Sequence, residues 1–79
     1  MENPVKQVRE NLGLDRGQFA MAADVSYGEV WKSETGYNVR LHVHLARFLE
    51  ESGYPGNPAS DYEEWRREVG MPFRRNATE

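Results

Sequence analysis

Apolar residues along this chain recur mostly three and four positions apart, the spacing of a helix face. Val5, Val8 and Leu12 make a first such stripe. Phe19, Ala20 and Ala23 make a second, and Val30 stands as the inward residue of a third segment. Leu41, Leu45, Phe48 and Leu49 form a clear fourth stripe, and Tyr62, Trp65 and Val69 a fifth. No segment reads as a strand and no repeat is present. The pattern predicts an all-α chain of five short helices.

The punctuation agrees with that division. Asn3-Pro4 is a helix start, with Asn as the cap and Pro where its missing N–H costs nothing. Gly13 closes the first helix. Asp15 caps a second helix over about 15–23. Asp24-Val25 is a tight turn, and Ser26 caps a third helix over about 26–35 that Gly36 ends. A loop at Tyr37-Asn38 leads into the fourth helix, which Gly53 stops. Tyr54-Pro55-Gly56-Asn57-Pro58 is a breaker-rich linker. Ser60 and Glu63 have capping-box spacing for the fifth helix, which Gly70 ends. Met71 and Phe73 are expected to fold back. The expected organisation is a core over 1–53, a linker and C-terminal helix over 54–73, and a flexible tail over 74–79.

The 79 residues are 38% hydrophobic and 29% charged, with mean hydropathy -0.86. That supplies one small core. No apolar run suits a membrane span and no secretory leader is read, so a cytoplasmic protein is expected. Without that leader the acceptor pattern Asn76-Ala77-Thr78 is chance. With no cysteine, disulfides and thiolate metal sites are excluded. His42 and His44, two apart on a helix, do not share a face and have no third ligand beside them. No metal or other cofactor is expected. No paired carboxylates, activated nucleophile or Gly-rich phosphate loop points to an enzyme.

Charge complicates any nucleic-acid reading. The net charge is -3, but residues 1–49 carry six basic and six acidic side chains, so the deficit lies in the C-terminal third. Two short helices joined by a tight turn are the geometry that sets a second helix into the major groove. That arrangement needs a small residue in the first helix, an apolar residue in the turn and one inward apolar residue in the second. Ala20, Val25 and Val30 supply them.

On these residues the stretch 14–36 resembles the helix-turn-helix of the Cro and phage-repressor family, the xenobiotic-response-element-like group. The family pattern has Ala in helix two, a turn ending in Val-Ser, Val or Ile four residues later, and a closing Glu-x-Gly. Here those are Ala20, Val25-Ser26, Val30 and Glu34-Thr35-Gly36. Leu45-Ala46-Arg47-Phe48-Leu49 resembles the family's Leu-Ala-x-x-Leu, and the likeness covers roughly residues 5–50. It implies a lambda-repressor-like domain, here with an extra C-terminal helix, that binds double-stranded DNA as a transcriptional regulator, a repressor on a palindromic operator. It places Ser26, Tyr27, Gly28, Trp31 and Lys32 at or beside the base-reading positions. It places Arg16 at a phosphate contact, Arg40 where some members contact backbone or minor groove, and Arg9 with Glu34 as a partly buried ion pair. The chain departs from the pattern at Ser33, usually Leu or Ile, and at Asp24, usually Gly. Gly28 loosens the third helix, and Glu29 adds a negative charge beside the expected phosphates.

Several side chains keep two readings. Tyr27 either meets DNA or packs over the turn. Trp31 either swings inward over Ser33 or faces DNA or a partner. Tyr62, Trp65 and Val69 either complete the core or form a homodimer interface. The pairs Arg66-Arg67 and Arg74-Arg75 read as solvated charge. A second function keeps the fold and drops the DNA: a protein-interaction module, an antirepressor or regulator subunit, that docks a protein partner through Tyr27, Trp31 and the Trp65 stripe.

Overall fold

The computed structural model describes residues 1–69, which form five helices and no strand. In chain order these are α1 (Pro4–Asn11), α2 (Arg16–Ala23), α3 (Tyr27–Thr35), α4 (Val43–Glu51) and α5 (Pro58–Glu68). None of them is long and apolar enough to cross a membrane. Gly70, Met71, Phe73, Arg74, Arg75 and the expected tail lie outside the described residues.

Local chemistry explains most of the boundaries. Asn3 caps α1 by accepting from the amides of Val5 and Lys6, and Pro4 sits first in the helix. Asp15 and Gln18 form a reciprocal capping box at α2: each side chain accepts from the other's backbone amide, at 2.8 and 2.9 Å. Ser26 caps α3 through the amide of Glu29. Asp24, the last residue of α2's turn, has φ 61° and ψ 46°, and is the one non-glycine residue described in the left-handed region. A short polar side chain tolerates that geometry better than most.

Two boundaries differ from the sequence expectation. α5 starts a turn earlier than a Ser60 cap requires: Asn57 is the cap, accepting from the Ser60 amide, and Pro58 is the first helical residue. This repeats the Asn-Pro start of α1. α4 starts at Val43, with the Nδ1 of His42 accepting from the His44 amide as its cap. Leu41 is therefore buried from the connection and not from the helix.

The core gathers one or more residues from every helix. Val5 and Val8 of α1, Phe19, Ala20 and Ala23 of α2, Val30 of α3, Leu45 and Leu49 of α4 and Tyr62 of α5 are all buried, with Leu41. Phe48 meets Phe19 edge to face, ring centroids 5.2 Å apart. α2 packs chiefly on α3, and α1 touches α3, α4 and α5. Ala20 is small where α2 and α3 pack, and the Val25 amide returns to the Ala20 carbonyl, tightening the turn.

Tyr62 is fully buried and its hydroxyl donates to the Asn38 carbonyl at 2.6 Å. It belongs to the core, so of the three residues considered for a homodimer interface only Val69 is exposed; Trp65 is half-buried against the Tyr62 ring. Arg66 also departs from expectation. It is buried, with Nε donating to the Gly36 carbonyl at 2.7 Å.

Candidate nucleic-acid interface

α3 divides cleanly around its circumference. Val30, Ser33 and Glu34 face the interior. Tyr27, Gly28 and Trp31 are exposed and Lys32 is half-buried. At 3.6 residues per turn, these four fall within about 140° of the helix surface. Tyr27 is 55% exposed and Trp31 41%. Both present a large part of their surface to solvent.

Ser26 and Arg40 flank this face differently. Ser26 is exposed, and its hydroxyl oxygen accepts from the Glu29 amide at 3.1 Å as the helix cap. Arg40 is exposed in the connection before α4, three residues ahead of its first residue. Glu29 is held by Asn38, whose amide donates to its carboxylate at 2.5 Å.

Arg16 opens α2, as expected, but its charge is shared. Arg9 Nε lies 2.5 Å from one Glu34 carboxylate oxygen and Arg16 Nε 3.0 Å from the other. Arg9 Nη1 also donates to the Leu14 carbonyl. The expected pair is thus a triad centred on Glu34, whose side chain is 2% exposed against 13% for Arg9 and 38% for Arg16. The Glu34 hydrogen bond and charge hold the Arg16 guanidinium still more firmly in its charged form, with a smaller contribution from Tyr27. Arg9, Asp15, Arg16, Gly17 and Tyr27 line an open concavity at the start of α2. The concavity joins the first turn of α2 to the first turn of α3.

Asn3, Tyr62 and Arg66 were not legible as contributors to this region. Each donates to a carbonyl at or just beyond the end of α3. These contacts join residues 24 to 30 positions apart, and only the Asn-Pro cap made Asn3 visible, for a different role. Ser33 contributes a buried hydroxyl with no hydrogen-bond partner. The rings of His42 and His44 lie 5.1 Å apart, and among the described residues no group of three or more His, Asp or Glu is placed to hold a metal. No protein-family model, curated protein or solved structure matches this chain.

Proposed function

We propose that this protein is a sequence-specific DNA-binding regulator of the helix-turn-helix type, a repressor acting as a dimer on a palindromic operator. The observation that carries the reading is the division of α3. Its inner arc is committed to the core, while Tyr27, Gly28, Trp31 and Lys32 stand together on the outer arc, just past a short turn from α2.

In this reading the first turn of α3 enters the major groove. Lys32 meets guanine acceptors or a phosphate, and Tyr27 and Trp31 offer apolar area to thymine methyl groups. Arg16 and the amides opening α2 take the flanking phosphate and fix orientation. Arg40 reaches the backbone from the connection. A second subunit supplies the other half-site about one helical turn away.

The test is a fluorescence-anisotropy titration against random and upstream-region duplexes at two salt concentrations. Binding that prefers one duplex and weakens steeply with salt supports the reading. Arg16→Ala with Lys32→Ala should abolish it in a folded protein; full affinity in that double variant rules this face out.

A specific observation favours a second reading. Two of the outer residues are aromatic, and Arg16 already shares Glu34 with Arg9. An aromatic face of modest charge suits a protein partner, since aromatic side chains dominate binding hot spots. Partner binding through Tyr27 and Trp31 that is insensitive to salt would favour this alternative.

A further inference from the structure

We propose that α5 is a positioning element for the reading face of α3, with Arg66 and Tyr62 as the positioning residues. The inference rests on the DNA-binding reading of that face.

A helix ends with carbonyl groups that have no partner inside it. At the end of α3 the Lys32, Ser33 and Glu34 carbonyls have such partners, and so do two carbonyls just beyond the helix, those of Gly36 and Asn38. The Lys32 carbonyl accepts from the amides of Gly36, Tyr37 and Asn38. The Trp31 carbonyl accepts from the Thr35 hydroxyl at 2.9 Å. The Ser33 and Glu34 carbonyls accept from Asn3, and the Gly36 carbonyl from Arg66. Two residues on, the Asn38 carbonyl accepts from the Tyr62 hydroxyl. Two of these donors belong to α5 and sit four positions apart, on one face of that helix.

Arg66 is an unusual choice for a purely structural position. A buried guanidinium is costly unless its charge is compensated. Among the described residues no carboxylate pairs with it. What it meets is the carbonyl end of α3, where the helix dipole favours a cation. The charge is therefore spent on fixing where α3 ends. Asn38, held on one side by Tyr62, holds Glu29 on the other. That couples α5 to the flank of the reading helix itself. A 9-residue helix gripped at its C-terminus, with its first turn projecting outward, has its aim set by that grip.

Conservative variants test this with little loss of packing. Arg66→Met keeps an unbranched chain as far as the Nε position and removes the donor with the charged head beyond it. Arg66→Gln places an amide nitrogen the same number of bonds from Cα as Nε and restores it without charge. Tyr62→Phe removes only the hydroxyl. The readouts are the ratio of preferred-duplex to random-duplex affinity, the salt slope, and hydrogen exchange of α3 amides relative to α2 amides in the full chain. Arg66→Met with Tyr62→Phe should cut the ratio roughly tenfold and leave the salt slope unchanged, since no phosphate contact is lost. The last turn of α3 should exchange faster while α2 does not, and Arg66→Gln should recover most of both. An unchanged ratio in the folded double variant overturns the proposal. If the wild-type protein prefers no duplex, the DNA reading fails on its own; exchange then decides, and equal protection of α3 in every variant overturns the positioning role.

Discussion

The side-chain amide of Asn3 joins two helices: its nitrogen donates to the Ser33 carbonyl at 2.9 Å while its oxygen accepts from the Val5 and Lys6 amides. The cap alone is interchangeable with Asp, which ranks beside Asn at this position. The link to α3 is not. Asn3→Asp keeps the acceptor and sets a second oxygen against the Ser33 and Glu34 carbonyls in a buried place. Asn3→Asp should therefore cost about 2 kcal/mol, measured by chemical denaturation. A neutral result would show that Asn3 acts on α1 alone.

Ser33 is fully buried, and its hydroxyl has no hydrogen-bond partner. An unsatisfied buried hydroxyl costs about 1–3 kcal/mol. Ser33→Ala removes it and loses almost no volume, so the variant should be more stable by about 1 kcal/mol. Larger residues should fare worse, because added methylenes strain a filled core. A destabilised Ser33→Ala would mean the hydroxyl contributes to holding α3.

The caps of α1, α2 and α3 were legible because capping is local: a short polar side chain and the amide it serves lie within three residues. At α5 the capping-box spacing of Ser60 and Glu63 pointed to the wrong start, because Pro58 fits the first helical position and Asn57 caps it. The stretch 39–45 shows a harder limit. Val39, Leu41, Val43 and Leu45 alternate with polar residues, yet Leu41 and Leu45 are buried while Val39 and Val43 are exposed, across the boundary between a connection and a helix. Arg66 was misjudged for a different reason. Arginine is ordinarily solvated, and only the approach of α5 to the end of α3 makes a buried guanidinium favourable. The outer face of α3 was legible because Val30 alone fixes which side turns inward. The sharing of Arg16 with Glu34 was not, since it depends on how α2 lies against α3.

That triad makes an uneven prediction. Glu34 is nearly inaccessible and Arg9 largely so. Removing the carboxylate leaves Arg9 partly buried without its counter-ion, and Glu34→Ala should cost about 3 kcal/mol. Arg16→Ala should cost less than about 1 kcal/mol, because that side chain is more than a third exposed and solvent screens it. Thermal unfolding of the two variants at one pH checks the asymmetry. Equal losses would mean Arg16 is as structural as Glu34, and its assignment to phosphate would fall.

Alkali should unfold the protein through two phenols. Burial, then the Asp61 carboxylate that accepts the Tyr54 hydroxyl's proton at 2.7 Å, pushes Tyr54 up to about 12. Burial also pushes Tyr62 up to about 12, with Glu29 adding to the effect and Arg66 opposing it. Both shifts favour the neutral phenol in the folded chain. Their contribution is complete below the unfolded value of about 10 and is lost as pH rises from there towards 12. The unfolding midpoint in urea should fall across that window. The fall should be shallower in Tyr54→Phe and Tyr62→Phe, compared by slope because the second variant also loses its bond to Asn38. An unchanged slope in both would place the alkaline transition elsewhere.

Gly28 separates stability from recognition. It lies in the first turn of α3 with open space around it: a Cβ added there meets nothing nearer than the Ser26 hydroxyl oxygen, at 3.9 Å. Nothing in the free protein requires glycine, which is disfavoured in a helix by about 0.5–1 kcal/mol relative to Ala. Gly28→Ala should therefore raise the unfolding midpoint. If this turn enters the major groove, the bare backbone at Gly28 is where α3 comes nearest the bases. The added methyl should then weaken binding to the preferred duplex while leaving random-duplex affinity, set by phosphates, nearly unchanged. A variant that is more stable and equally discriminating would move the closest approach away from Gly28, towards Tyr27 and Lys32 on either side of it.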